Sequence, residues 1–524
     1  MATPADSNID DLMRRFGPSY RWFVTFTVML SSLTMGLAST MVNVAVPSVM
    51  GAYGVGLDQA QWMATGFLAT MSATMLLSSW LIEVLGQRIT FAATLIVFAI
   101  GSLLSGVAQN MDVLVIGRVL QGAASGVGQP LAMFSIFSVF PPERRGTALG
   151  IYGLGSVLAP TFGPIVAGLA IDNISWRYLF FLPLPLCAFA FMLGLVFMPW
   201  KRLANRLPPF DWVGFTLVLV IMFSLLGGLA NGPRWGWDSD AVLLRLLTAA
   251  LLLPAFIFWE LRAAYPLLDL GLFKNYQFSL TMVTSFAFGV GLFSSGYFIP
   301  VFVQTIQNYN ATEAGFLLAP GGLVMMLFFP LAGRITDTIP AHIPISTGLF
   351  IFAIGFFLIH AIDVDTTFWL LVGYTAITRV GLSLCIPSLN VAALRAVPPE
   401  KLARGASTST FFRNTGGGIG IAVLTAFFQY RTQLHGEAFA ATQTSANHTT
   451  MAFLEATQRL LDTAGVNSAA QALAALNYLS QSILAQASTL GFKDTFLAIA
   501  IMSLLATIPA LLLGNSGRGK PGAT

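Results

Sequence analysis

A chain of 524 residues would ordinarily fold as several soluble domains, but 56% of these residues are hydrophobic and only 9% are charged. Water could not dissolve a surface of this composition, which excludes an ordinary soluble protein and predicts a helical membrane protein. The net charge is +4, but the basic residues form no stripe, which argues against nucleic-acid binding. Cys187 and Cys385 both fall in apolar stretches, so we expect free thiols.

Apolar stretches long enough to cross a hydrocarbon core of about 30 Å recur along the chain. The segment before the first stretch, with Asp10, Asp11 and Arg14, is too polar for a cleaved signal peptide. Polar, proline and glycine breaks predict fourteen transmembrane helices, at residues 22–46, 60–82, 89–108, 112–138, 146–171, 177–199, 211–230, 241–259, 278–303, 312–335, 343–361, 366–392, 404–429 and 494–514.

Lys and Arg are concentrated in the loops on the side of the N-terminus, for example at Arg88, Arg144 and Lys201. By the positive-inside rule we expect both termini in the cytoplasm, with the chain in the inner membrane. The long connection at 431–493 would then lie outside, where its apolar periodicity predicts two amphipathic helices. These would either cap this protein itself or form a docking surface for a periplasmic partner.

Three motifs follow one another in the first half of the chain. Glu83, Gly86 and Arg88 form a tight turn between the second and third spans, Arg118 lies in the fourth, and Pro-Thr-Phe-Gly-Pro occupies 160–164 in the fifth. In this order they resemble the signature loop, the arginine motif and the antiporter motif of the major facilitator superfamily. The signature loop departs from the usual pattern, with Ser79 and Glu83 in place of Gly and Asp.

The fourteen-span count narrows the resemblance to the EmrB/QacA type of multidrug exporter, over essentially residues 20–515. Segments 39–47, 318–322, 333–337 and 411–417 are similar to further motifs of that group. The resemblance implies an all-α major facilitator fold, with a six-helix bundle in 1–200, two linker helices in 201–274 and a second bundle in 275–524. The long loop is similar to that of the EmrB branch, whose members work with a periplasmic adaptor (a membrane fusion protein) and an outer-membrane channel.

What the resemblance implies about function is export of amphipathic organic compounds such as drugs, detergents or fatty acids. The two bundles would rock around a cavity at the membrane midplane, without a cofactor or a metal. The expected cavity residues are Asn43, Gln61, Trp62, Arg118, Tyr297, Gln304, Arg379, Arg413 and Asn414. The expected gate and motif residues are Glu83, Gly86, Arg88, Pro160, Gly163, Pro164, Arg334 and Asp337.

The three intramembrane arginines need partners, since a cation at the bilayer centre costs at least about 2.5 kcal/mol. Backbone carbonyls, Gln121, Asn414 and water are one set of candidates. The other hypothesis is that Arg118, and with it Arg379, faces the cavity and attracts an anionic head group. This would suit a fatty acid, a bile salt or a lipid.

One departure from the resemblance affects energy coupling. Proton-coupled members carry an aspartate in the first span, five residues before Asn43, where this chain has Ala38. None of the 22 acidic residues lies deep in an apolar span, and Asp112 and Asp211, at span ends, are the nearest candidates. Proton antiport is therefore an expectation of the resemblance alone.

Two alternatives remain open at this point. A lipid or lysolipid flippase would use the same rocking motion without conventional proton coupling. A membrane-embedded lipid-modifying enzyme would need a deep acid, a histidine or a metal site, and His342, His360, His435 and His448 lie only at span ends or in loops. The residues therefore favour a transporter over an enzyme.

Overall fold

The computed structural model describes residues 9–141, 145–200, 209–398 and 401–515, and within these ranges the regular structure is helical throughout. The first half begins with a short helix and continues as a bundle. Its helices are α1 (Ile9–Phe16), α2 (Tyr20–Val44), α3 (Val46–Tyr53), α4 (Leu57–Ala60), α5 (Trp62–Gly106), α6 (Met111–Val139), α7 (Arg145–Asn173), α8 (Tyr178–Phe181) and α9 (Pro183–Phe197).

Two linker helices, α10 (Trp212–Trp235) and α11 (Asp240–Arg262), pack against each other and lead into the second half. The helices of that half are α12 (Tyr276–Thr305), α13 (Ala311–Thr338), α14 (His342–His360), α15 (Phe368–Arg395), α16 (Leu402–Thr442), α17 (His448–Thr463), α18 (Ser468–Leu505) and α19 (Thr507–Asn515).

The structure places helices over all fourteen predicted spans. In the described part of the chain, ten segments are long and apolar enough to cross a membrane. The predicted spans at 60–82, 112–138, 146–171 and 404–429 lie on α5, α6, α7 and α16 but are not among those ten. For these four, the number of membrane crossings stays a prediction.

Small residues allow two of these four helices to pack closely. A Cβ added at Gly122 of α6 would collide with the backbone carbonyl of Phe67 on α5, and Gly126 stands in the same relation to Met71. Glycine therefore allows α5 and α6 to approach until their backbones touch.

One helix makes a sharp bend that separates two predicted spans. Helix α5 runs through both the second and the third, and Gly86 interrupts it with φ 74° and ψ 171°. A side chain at this positive φ would be strained, so glycine is the residue that permits the turn. Gly86, which belongs to the motif identified in the sequence, therefore forms the turn between these two spans.

The two halves meet at one end of the molecule. We call the end where α2 begins the near end and the opposite one the far end. At the far end, Gln304 Nε2 of α12 donates a 3.0 Å hydrogen bond to the carbonyl of Val44. Close by, Asp172 Oδ2 of α7 accepts a 2.7 Å bond from the backbone N–H of Thr312, in the first turn of α13.

The long connection at 431–493 is helical, as its periodicity predicts, but its helices are partly continuations of the neighbouring spans. Helix α16 extends to Thr442 and α18 begins at Ser468, so that α17 is the one separate helix between them. Arg431 and His435 of α16 both contact Asp494 Oδ2 of α18, at 2.6 and 2.7 Å. These contacts join α16 to α18 where the connection begins and ends.

Candidate functional site

Arg118 of α6 is buried between helices of the first half, and its side chain is 1% exposed. Its Nε donates to the carbonyl of Met63 (2.9 Å), and its Nη1 donates to the carbonyl of Ala38 (3.1 Å) and to Gln121 Oε1 (2.7 Å). The guanidinium also lies 4.3 Å from the ring centroid of Phe67. Backbone carbonyls and Gln121, rather than a carboxylate, therefore bind this cation.

Arg379 of α15 has a different environment. It is partly exposed, although it lies about 16 Å along α15 at 1.5 Å per residue. Its Cγ lies against Gly321 of α13, where an added Cβ would be 2.8 Å away. Among the described residues its guanidinium has no hydrogen-bond or ion-pair partner.

Arg413 of α16 is also partly exposed, and it lies about 16 Å along its helix. Its Nη1 donates a long bond of 3.4 Å to Asn390 Oδ1 of α15. The next residue, Asn414, is buried, and its Nδ2 lacks a partner among the described residues. Among the described residues, Arg379 and Arg413 thus keep guanidinium donors without a partner.

Three predicted cavity residues contact neighbouring helices in this structure. Gln304 bonds the end of α2, as described above, and Asn43 Nδ2 lies 3.4 Å from where a Cβ of Gly296 would be. Trp62 packs with the linker helices, 3.8 Å from the corresponding point at Gly227. These side chains therefore contribute to packing between helices in this structure.

Gln61 and Tyr297 are buried and each carries a polar atom without a hydrogen-bond partner among the described residues. Tyr297 is 0% exposed and Gln61 1%, yet the Tyr297 hydroxyl and Gln61 Oε1 have no hydrogen-bond partner among the described residues. Such orphaned groups are costly and often indicate a place for water or a ligand. Nearby at the far end, a cavity of about 560 Å³ is lined by Asp58, Gln59, Arg234, Gln429 and Gln433, among others.

In the predicted gate motif, Arg88 contacts the segment directly after α9. Arg88 Nε donates to the carbonyl of Met198 (2.8 Å), and the Arg88 backbone N–H donates to that of Pro199 (3.2 Å), directly after α9. Glu83 is exposed on the near side of the Gly86 turn. In the second half, Arg334 is exposed and without a partner among the described residues, whereas the side chain of Asp337 lies outside them.

The fifth-span motif lies at the interface between the halves. Gly163 faces Thr40 of α2, and the backbone carbonyl of Pro164 faces Gly315 of α13. The side chain of Pro160 lies outside the described residues. The small residues of this motif thus allow α7 to lie close to both α2 and α13.

One cluster, in the linker helices, was not recognised from the sequence. Glu260 is 3% exposed and Asp211 is 9% exposed, and one carboxyl oxygen of each lies within 2.7 Å of the point where a Cβ of Gly214 would be. Sequence analysis identifies Asp211 as an acidic residue at a span end but does not pair it with Glu260. The signal that could have found them is the antiparallel pairing of α10 and α11, which brings the start of one beside the end of the other.

Comparison with known proteins agrees with this architecture. The sequence model of the Major Facilitator Superfamily matches residues 28–421. The chain is 29% identical to the fatty acid resistance protein FarB of Neisseria gonorrhoeae, covering 95% of this chain and 97% of that one. It is 30% identical to the multidrug export protein EmrB of Haemophilus influenzae, covering 79% and 81%.

Solved structures show the same fold at low identity. A bacterial homolog of the human lysosomal transporter Spinster, in an inward-facing and occupied conformation, matches with a TM-score of 0.61 at 15% identity, covering 97% of this chain and 100% of that one. A peptide transporter of the POT family matches with a TM-score of 0.65 at 13% identity, covering 94% and 96%. The chain therefore belongs to the Major Facilitator Superfamily and is a multi-pass membrane transporter of the EmrB type, not an enzyme.

Proposed function

We propose that this protein exports amphipathic organic compounds, and that it prefers those with an anionic head group. The observation that carries the proposal is the pair of midspan arginines of the second half, Arg379 and Arg413, which are partly exposed and retain free donors. The likeness to FarB, a fatty acid resistance protein, over nearly the full length of both chains supports the same substrate class.

The surroundings of the two arginines indicate water rather than lipid. A guanidinium in hydrocarbon costs at least about 2.5 kcal/mol, which neither residue offsets with an ion pair among the described residues. Arg379 lies against α13, and the Arg413 guanidinium reaches towards α15. A water-filled space between helices explains partial exposure at this depth, and a carboxylate entering it would find unused donors.

Arg118 takes a supporting part in this proposal. Its three hydrogen bonds tie α2, α5 and α6 together, and its near-complete burial leaves little room for a head group. Attraction of an anion by Arg118 remains a prediction, to be compared with Arg379 and Arg413 in one experiment.

Alternating access would require the far-end contacts to break. The bonds of Gln304 to α2 and of Asp172 to α13 join the halves at that end. We place the near end in the cytoplasm of a bacterial inner membrane, from the positive-inside distribution of Lys and Arg. In that orientation, the far-end contacts close the pathway to the outside, and Gly86 and Arg88 belong to a cytoplasmic gate.

A periplasmic adaptor and an outer-membrane channel are the partners we propose. The helical connection at 431–493 projects from the far end, and leucines of α17 and α18, Leu460, Leu473 and Leu484, are exposed. The resemblance of the long loop to that of the EmrB branch implies the same partnership.

Proton exchange is the energy source we propose, and a flippase without proton coupling is the alternative that Ala38 favours. The test uses purified protein in proteoliposomes, with one anionic and one cationic amphiphile of equal chain length. Export of the anion that stops when an ionophore collapses the pH gradient supports the antiporter. Anion movement that survives the ionophore supports the flippase, and failure to move either amphiphile contradicts the exporter.

A further inference from the structure

Two carboxyl groups meet in the interior of the linker hairpin. Asp211 is the residue immediately before α10, and Glu260 lies in the last turn of α11. One oxygen of each carboxyl group accepts hydrogen bonds from N–H donors. Asp211 Oδ1 accepts 2.8 Å bonds from the Gly214 N–H and the Trp259 indole N–H, while Glu260 Oε2 accepts a 3.1 Å bond from the Leu268 N–H.

The other two oxygens face each other. Asp211 Oδ2 and Glu260 Oε1 are buried, and neither has a donor among the described residues. A Cβ added at Gly214 would lie 2.7 Å from Glu260 Oε1 and closer still to Asp211 Oδ2. The absence of a side chain at Gly214 therefore leaves the space in which these two acceptors meet.

Two ionised carboxylates in this position would be unstable. Each is an acceptor only, so that both facing oxygens would stay unsatisfied, and like charges in a poorly hydrated site repel strongly. A single proton removes both penalties, because a protonated carboxyl donates to its ionised neighbour.

The charged groups around the pair offer no substitute for that proton. Arg262 lies over the ring of Phe258, 4.0 Å from its centroid. Asp269, on the segment after α11, is paired with Lys401 and Arg404 at 2.7 and 3.6 Å, and Glu83 of α5 is exposed. Arg413 of α16 reaches towards Asn390, and Asp58, beside α10, lies at the far end. The remaining basic residues near α10 lie outside the described residues: Lys201, Arg202 and Arg206.

We propose that Asp211 and Glu260 form a proton-binding site that holds one shared proton at neutral pH, between Asp211 Oδ2 and Glu260 Oε1. The proton joins the start of α10 to the end of α11. The hydrogen bond from the Leu268 N–H to Glu260 Oε2 also links the pair to the segment that enters the second half. This site lies away from the midspan arginines and does not depend on which compound the protein exports.

The test is infrared spectroscopy of the full-length protein in lipid nanodiscs at pH 7, which detects the C=O stretch of a protonated carboxylic acid. Wild type is compared with Glu260→Gln and Asp211→Asn, and Glu455→Gln, at an exposed position, is the matched control. Either amide donates to the remaining carboxylate, so each variant keeps one negative charge and should fold.

We expect the protonated band of wild type to disappear in both Glu260→Gln and Asp211→Asn and to persist in Glu455→Gln. A wild-type spectrum without a band that depends on either residue would overturn the proposal. So would a band that survives in Asp211→Asn, because Glu260 would then be neutral without sharing its proton.

A second measurement uses the thermal melting of the same proteins. The folded pair holds a proton that exposed carboxyls lose in the unfolded chain, so unfolding releases a proton and stability falls as pH rises. Between pH 7 and pH 9, the melting temperature of wild type should fall by more than that of Glu260→Gln. Equal losses in the two proteins would contradict the shared proton.

Discussion

The Nη1 of Arg118 donates a hydrogen bond of 3.1 Å to the backbone carbonyl of Ala38. The resemblance to proton-coupled exporters implies an aspartate at this position of the first span, where this chain has Ala38. Here the neutral backbone carbonyl of Ala38 accepts the hydrogen bond from the arginine. The relationship explains how Arg118 is satisfied without a carboxylate among its described hydrogen-bond partners.

Replacing Arg118 should destabilise the first half. Hydrogen bonds to a charged group contribute about 1.5–3 kcal/mol each, so Arg118→Ala should lower the melting temperature markedly. Arg118→Lys should fall between, because one ammonium cannot reproduce the planar geometry of the guanidinium. Melting in detergent measures this. Unchanged melting in Arg118→Ala would show that the three bonds contribute nothing.

Breaking the far-end contact should favour opening of that end. Asp172 accepts from the first turn of α13, where a carboxylate also meets the positive end of the helix dipole. A loss of about 1.4 kcal/mol would shift the equilibrium about tenfold. Distances between spin labels on α7 and α13 should show a larger open population in Asp172→Asn.

The control for this variant is Asp365→Asn, since Asp365 is exposed and precedes α15 at the same end. It should leave the distance distribution as in wild type. An equal shift in both variants would mean that lost surface charge, rather than the bond to α13, changes the distribution.

The ion pair of Asp269 should give a small, salt-sensitive contribution at the near end. Burial alone would raise the pKa of Asp269, but the hydrogen bond and charge of Lys401, with the charge of Arg404, outweigh it and lower the pKa below its usual value. The stabilisation is therefore present above about pH 4, the ordinary range of an aspartate, and is lost as pH falls through the lowered pKa.

Lys401 is 43% exposed, so solvent screens the pair, and we expect less than about 1 kcal/mol. Asp269→Asn should lower the melting temperature slightly at pH 7 and low salt. The difference from wild type should shrink in 1 M salt, where the Debye length falls to about 3 Å. A difference that is independent of salt would contradict an electrostatic origin.

Gly214→Ala should disturb the linker hairpin because the added methyl would enter the space between the two carboxyl groups. Gly373→Ala is the matched control, since a Cβ at this helical glycine of α15 meets no atom within 4 Å. The melting temperature should drop in Gly214→Ala. It should stay the same or rise slightly in Gly373→Ala, because alanine favours a helix. Equal melting of the two would show that the space at Gly214 is not constrained.

Hydrophobic periodicity predicted most of the fold, because a membrane-spanning helix needs a long apolar run that local sequence displays directly. The turn at Gly86 was also recognisable, since a glycine beside charged residues between two apolar runs is typical of a tight turn. The long connection was predicted as two helices, but its continuity with the adjacent spans was not. Charge at Arg431 and Asp494 indicates a helix end when each residue is considered alone, whereas in the structure the two are paired.

The site was less predictable, because which face of a helix meets which neighbour is a long-range property. Sequence identified the three midspan arginines but could not distinguish the buried Arg118 from the partly exposed Arg379 and Arg413. Nor could it find Glu260, since its burial depends on α10 lying antiparallel beside α11. Position along a span gives depth in the membrane but not the direction of a side chain.

The most direct test of the account compares export of an anionic and a cationic amphiphile by proteoliposomes containing Arg379→Ala, Arg413→Ala, Arg118→Ala or the control Arg395→Ala, at an exposed helix end. We predict that Arg379→Ala and Arg413→Ala each lower the anion-to-cation ratio of initial rates about tenfold, as expected for about 1.4 kcal/mol of lost attraction. Arg395→Ala should keep the wild-type ratio. An unchanged ratio in both Arg379→Ala and Arg413→Ala would contradict the account.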